Sequence, residues 1–188
     1  MPRPRTFDEE RAVDAAMRAF WTKGYESTST HDLSTATGLG RSSIYNTFAC
    51  KHDLFEKALR RYAEVRTASL LELLAGPGSI REKVRTVFWW TVDADPDDPL
   101  GCMTVNAVIE LAPHDRVVAE MVRKDETVRL AALGDAFEAA RRAGEIDGDP
   151  EMLARFVLST VAGMQVQARG GTGRDGLAAI AEVALRAL

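Results

Sequence analysis

Arg41, Ser42 and Asn46 place a guanidinium fork, a hydroxyl and an amide within six residues of one another. On a helix, the first two open the segment and the third follows one turn later, so all three leave from one side. In a DNA major groove, which admits one α-helix, a guanidinium can contact guanine in bidentate fashion and an amide can do the same to adenine. Each such contact is worth roughly 1–3 kcal/mol of base discrimination.

The surrounding residues satisfy the steric demands of a helix-turn-helix. With Thr30 as the first position, the small Ser34 falls at the fifth, where the two helices approach most closely. Gly38 falls at the ninth, in the sharp turn, and Ile44 at the fifteenth, packing back into the pair. Three constraints are met together.

Other constellations carry less chemistry. Gly171-Thr172-Gly173-Arg174-Asp175-Gly176 spells the dinucleotide-binding fingerprint, but no strand precedes it and only twelve residues follow, so no βαβ unit can form and an interhelical loop is expected. His31, His52 and His114 share no ligand spacing, and no Ser-His-Asp or paired-carboxylate arrangement can be assembled. Asp95-Pro96-Asp97-Asp98 lacks the spacing of a calcium loop and reads as a solvated turn. Cys50 and Cys102 stand far apart, without metal or redox spacing; neither a disulfide framework nor a zinc site is expected, and their redox activity stays open. No cofactor and no metal are expected.

The elements that must position these residues are helices. Val13, Ala16, Met17 and Phe20 recur at three- and four-residue spacing over 8–23, with Asp8, Glu9 and Glu10 opening the segment and Gly24 closing it. Ser29-Thr30-His31-Asp32 is a variant capping box before a short helix ending at Gly38, and a third short helix is expected from Gly40 or Arg41 to about Phe48. A long helix then runs from Lys51 to the Gly76-Pro77-Gly78 breaker, and further helical patterns cover 79–94, 101–112, 114–143, 150–168 and 174–188. Period-two stretches and hairpin turns are lacking. The fold class is all-α: an N-terminal three-helix helix-turn-helix domain over 1–50, joined by a long helix to a C-terminal helical ligand-binding and dimerisation domain over 51–188.

Composition agrees with a folded protein, with 46% hydrophobic and 28% charged residues. The net charge is −4, and its distribution is uneven. Residues 1–66 carry 11 basic against 9 acidic side chains, and the remainder 13 against 19, as suits a DNA-gripping head on an acidic body. No apolar run approaches the ~18 residues of a spanning helix, so no membrane partner and a cytoplasmic location are expected.

Phe20, Gly24-Tyr25, Thr28, Asp32-Leu33, Gly38-Leu39, Ile44-Tyr45, Phe48, Lys51 and Leu54-Phe55 closely resemble the N-terminal signature of the TetR family of transcriptional regulators. Gly101-Cys102-Met103-Thr104-Val105-Asn106-Ala107-Val108-Ile109-Glu110-Leu111-Ala112 is similar to the start of a core helix in one subgroup of that family. The resemblance assigns Thr28, Tyr45, Thr47 and Lys51 to phosphate contacts, and Ser43 completes the candidate DNA-binding set; the alternatives are a half-buried packing role for Tyr45, a solvated charge for Lys51 and a cap for Thr28. Two departures stand out. Gly40 replaces the hydroxyl residue that commonly caps the recognition helix, and Cys50 leaves the next helix with a weak cap.

The same resemblance implies a cavity in the C-terminal helices, with Phe88, Trp89, Met103, Asn106, Ile109, Glu110, Met121, Phe137, Met164 and Gln165 as candidate ligand-binding residues; for the Met and aromatic members the alternative is plain core. The polar members say more, because an inward polar group needs a partner. It also implies a homodimer through the last two helices, which are apolar over wide arcs, and release of a palindromic DNA operator when an unknown small molecule binds. A small all-helical enzyme or carrier using the C-terminal cavity, and a helical module that binds another protein, remain as alternatives. The effector, the operator, the regulated genes and the choice between repression and activation are not written in the sequence.

Overall fold

Local signals in the chain set each helix boundary. The computed structural model describes the backbone from Arg5 to Leu188 and the side chains from Glu9 onward; the N-terminal Met1–Pro4 stretch and the side chain of Asp8, expected to help open the first helix, lie outside the described residues. Among those residues the elements are α1 (Arg5–Lys23), α2 (Thr30–Thr37), α3 (Arg41–Thr47), α4 (Lys51–Ala75), α5 (Ile80–Val92), α6 (Met103–Glu110), α7 (Arg116–Arg142), α8 (Pro150–Arg169) and α9 (Arg174–Leu185), with no strand. The all-α class and the order of helices are as the periodicity predicts.

Side-chain caps and left-handed glycines mark several of the ends. Ser29 and Asp32 form a reciprocal capping box at the start of α2, and Ser79 with Glu82 forms another at α5. Gly24 and Gly38 take the left-handed backbone, with φ of +83° and +68°, that lets the chain leave α1 and α2 sharply. The helix expected over 101–112 is shorter, because Gly101 also has a positive φ, +85°, and the chain leaves helical geometry at Leu111. Gly40 and Cys50 stand at their N-caps without a side-chain hydrogen bond, in line with the weak caps expected there.

Two apolar cores organise the bundle. The first gathers Ala16, Phe20 and Trp21 of α1, Leu33, Ile44 and Phe48 of the helix-turn-helix, and Leu54, Phe55, Ala58, Leu59 and Tyr62 of α4. Met103, Ala107 and Leu111 from α6 and its end close it from the body side. The second joins Leu70 near the end of α4 to Val84, Phe88, Leu133, Phe137, Val157, Met164, Ala181 and Leu185. One helix, α4, therefore contributes to both. The wide apolar arcs of the last two helices are divided: Val157, Met164, Leu177, Ala181 and Leu185 are buried within the chain, whereas Met152, Phe156, Ile180 and Val183 are exposed.

Asp115 ties the start of α7 to the start of α4. Its Oδ1 accepts hydrogen bonds from the Val117 and Val118 amides, both at 3.0 Å, while Oδ2 meets Nε2 of His52, whose Nδ1 lies 2.8 Å from Glu56. The Val118 amide above all, with His52 adding to it, holds the Asp115 carboxyl below the usual carboxylate range.

Two outcomes follow from this packing. Phe137, fully buried, is expected to lose about 3–5 kcal/mol of stability on Phe137→Ala, measured by urea unfolding. A depressed folded-state pKa contributes stability that is present above the unfolded value, about 3.9, and is lost as pH falls through the folded one. Asp115→Asn, which keeps the cap and removes the charge, should therefore flatten the acid side of a plot of unfolding free energy against pH.

Candidate functional site

Two short hydroxyl side chains bond the turn of the helix-turn-helix. Ser34 Oγ donates to the Leu39 carbonyl at 2.5 Å, and Thr37 Oγ1 donates to the Leu33 carbonyl at 2.7 Å while accepting from the Leu39 amide at 3.2 Å. These bonds satisfy the turn around Gly38. Leu33, Ile44 and Phe48, each at most 1% exposed, point into the first core and fix which side of α3 faces out.

That outer side carries Arg41, Ser42, Ser43, Asn46 and Thr47, all exposed. Tyr45 is 39% exposed; its hydroxyl lies 3.1 Å from Thr30 Oγ1 at the start of α2, and the Arg41 guanidinium sits 5.9 Å from its ring centroid. The residue thus braces α3 against α2 and still meets solvent. Lys51 is half-buried, with its ammonium 4.3 Å from the Tyr25 ring centroid and 3.5 Å from the Glu26 carbonyl. Burial raises the pKa of the Tyr25 phenol, foremost among several causes. Asp32 is held far below the ordinary carboxylate range, first by its bond from Lys23 and then by Ser29, so the α2 cap stays ionised.

Thr28 requires a correction. Its side chain is fully buried and its hydroxyl donates to the Gly24 carbonyl at 2.6 Å, so the group expected to hold a phosphate instead closes the α1–α2 turn. Thr30, half-buried at the first turn of α2, meets the Tyr45 hydroxyl and so stands nearer the outer face.

The ten candidate ligand-binding residues do not converge on one cavity. Phe88, Phe137 and Met164 are packed in the second core, at most 1% exposed, with Trp89 at its edge under the Arg85 guanidinium, 4.0 Å from the ring centroid. Met103 seals the first core and Met121 packs against it. Helical spacing places an apolar side chain on an inward face without saying whether a neighbour already fills the space. The other four, Asn106, Ile109, Glu110 and Gln165, line an open cleft of about 410 Å³ at the junction of α1, α6 and α8.

The sequence gives no sign of how that junction is bonded. Glu110 accepts from the Tyr25 amide at 2.9 Å and the Glu26 amide at 2.7 Å, joining α6 to the α1–α2 turn. Arg169 at the end of α8 donates to the Trp21, Thr22 and Leu100 carbonyls at 3.2–3.4 Å, and Trp21 Nε1 donates to the Gly101 carbonyl at 3.0 Å. Arg18 pairs with Asp98 at 2.8 Å. These partners lie 69 to 148 residues apart, beyond the reach of any local pattern.

Comparison with known proteins places the geometry. The model described as "Bacterial regulatory proteins, tetR family" matches residues 12–58, which span α1 to the start of α4. The chain is 34% identical over 162 residues to the uncharacterized HTH-type transcriptional regulator YezE of Bacillus subtilis, covering 84% of each. It is 31% identical over 189 residues to the HTH-type transcriptional repressor ComR of Escherichia coli, covering 98% of this chain and 90% of that one. Among solved structures it resembles a cysteine mutant of the TetR family transcriptional regulator CifR complexed with 26-bp double-stranded operator DNA, at 30% identity, TM-score 0.86 and 99% coverage of both chains.

Thr28→Val keeps the shape and removes the hydroxyl. It should lower stability by about 1 kcal/mol while leaving the DNA affinity of the folded protein unchanged by fluorescence anisotropy. A uniform loss of DNA affinity at full folding would return Thr28 to the phosphate contacts.

Proposed function

The chain belongs to the TetR family of bacterial regulatory proteins, and from that premise we propose a homodimeric repressor that holds a palindromic DNA operator through two copies of α3 and lets go when a small molecule binds its body. It is a transcriptional regulator rather than an enzyme, as its relatives are. The observation that carries the reading is the outer face of α3: Arg41, Ser42 and Asn46 stand exposed on a helix whose opposite side, through Ile44, is locked in the core.

Division of labour follows from the chemistry. Arg41, Ser42 and Asn46 read base edges, whereas Ser43, Tyr45, Thr47 and Lys51 hold the backbone and set affinity with little regard to sequence. Residues 1–50 form the DNA-reading head and 51–188 the sensing and dimerising body. The exposed Met152 and Phe156 of α8, with Ile180 and Val183 of α9, supply apolar surface for a two-fold contact between protomers. Two heads are needed because a single short helix reads few bases, and a dimer reads half-sites about 34–36 Å, or a multiple, apart. No described helix is long and apolar enough to cross a membrane; action in the cytoplasm, where the DNA lies, fits the reading.

Arg41→Ala should abolish preference for the selected operator over a scrambled duplex, a loss of roughly 1–3 kcal/mol of discrimination in competition binding. Lys51→Ala should weaken both duplexes alike and reduce the salt slope by about one. Unaltered preference after the arginine change would sink the assignment of α3 as the reading helix.

A further inference from the structure

The cleft between α1, α6 and α8 contains one donor that the fold leaves without an acceptor and one cation that it bonds only to backbone carbonyls. Asn106 Nδ2 is shielded from solvent and has no hydrogen-bond partner among the described residues. A shielded amide N–H₂ without an acceptor is destabilising, so a molecule supplying one is drawn to it. Arg169 lines the same cleft, and its three bonds go to neutral carbonyls, with no described carboxylate at ion-pair distance.

The neighbouring polar groups are already committed. Lys23 is paired with Asp32, Gln165 Nε2 donates to Thr91 Oγ1 at 2.8 Å, and both Glu110 oxygens face the Tyr25 and Glu26 amides. What is left is one amide donor, the Arg169 cation, which like the Glu110 carboxylate is bonded to backbone groups alone, and an apolar wall of Val105, Ile109 and Val166, of which Ile109 is 66% and Val166 48% exposed. We propose that this cleft binds a small organic monocarboxylate with an apolar tail: its head accepts from Asn106 and lies against Arg169, while its tail covers Ile109 and Val166. The open volume of about 410 Å³ suits a molecule of that size.

The site is joined to the DNA-reading head. A Cβ on Gly24 would stand 2.9 Å from Glu110 Oε2, and one on Gly101 3.2 Å from Arg169 Cβ, so both glycines are where the cleft's charged side chains press against the turns beside α1. A carboxylate drawing on Arg169 competes with the carbonyls of Trp21 and Thr22 at the end of α1. Occupancy then changes how the head is held, and the consequence for DNA rests on the repressor reading given above.

Calorimetric titration of the wild-type protein with octanoate, benzoate and the neutral octanamide tests the site. Octanoate and benzoate should bind, and octanamide should bind at least tenfold more weakly. Asn106→Leu and Ile109→Glu, the second on an exposed position that folding tolerates, should each weaken octanoate at least tenfold, with the thermal midpoint raised or unchanged in the first and unchanged in the second. Absence of carboxylate binding at millimolar concentration, equal binding of octanamide, or undiminished octanoate binding to both variants overturns the proposal. Operator retention by the ligand-free protein, measured separately, keeps the two readings apart: no DNA binding alongside the expected titrations removes the repressor and leaves the cleft.

Discussion

Helices of eight and seven residues, the lengths of α2 and α3, form too few internal hydrogen bonds to persist alone in water. Their shape is therefore borrowed from what they lean on. Leu33, Ile44 and Phe48 are sealed against Phe20 of α1 and Phe55 of α4, whose rings meet edge to face at 5.1 Å. The outward set on α3 exists because the inward set is fixed: rotate α3 by a third of a turn and Ile44 would face water while Asn46 would be buried without a partner. The α1–α4 pair is thus the constraint on which reading of DNA depends.

The head is in turn attached to the body by a small number of polar joints around a shared apolar seam. Met103, Ala107 and Leu111 complete the first core from the body side, so the head does not end where its DNA-reading helix ends. Around that seam Glu110 holds two amides, Arg169 holds three carbonyls, and Trp21 donates to Gly101. Apolar contact of this kind resists separation but not small rotations, whereas the directed bonds fix the angle. Glu110, Arg169 and Trp21 are thus the directed joints between body and head.

Much of this was legible because helices announce themselves locally. The Ser29–Asp32 box, Gly24, Gly38 and the Gly76-Pro77-Gly78 breaker fix element ends through backbone chemistry that involves only near neighbours. The alternation of Ile44 and Phe48 with Arg41, Ser42 and Asn46 likewise gives the two sides of α3. The sensing half was read less well. Phe88, Phe137 and Met164 turn inward as their spacing requires, yet they fill the space that a cavity would need. Thr28 carried the right chemistry for a phosphate and the wrong surroundings, since burial depends on α1 and its turn, not on residue type. Nothing local marks Arg169 or Trp21, because their partners lie far along the chain.

The 25 residues of α4 make a rod of roughly 38 Å, planted by Leu70 in one core and by Leu54, Phe55 and Tyr62 in the other. Such a rod acts as a lever. Pivoting it by about ten degrees at its body end swings its far tip some 6–7 Å, close to two base-pair steps of about 3.4 Å each. In a symmetric pair the two tips move together, so the mismatch with a rigid duplex doubles. Modest rearrangement deep in the body is thereby geared up to a displacement that no rotamer change at the DNA can absorb.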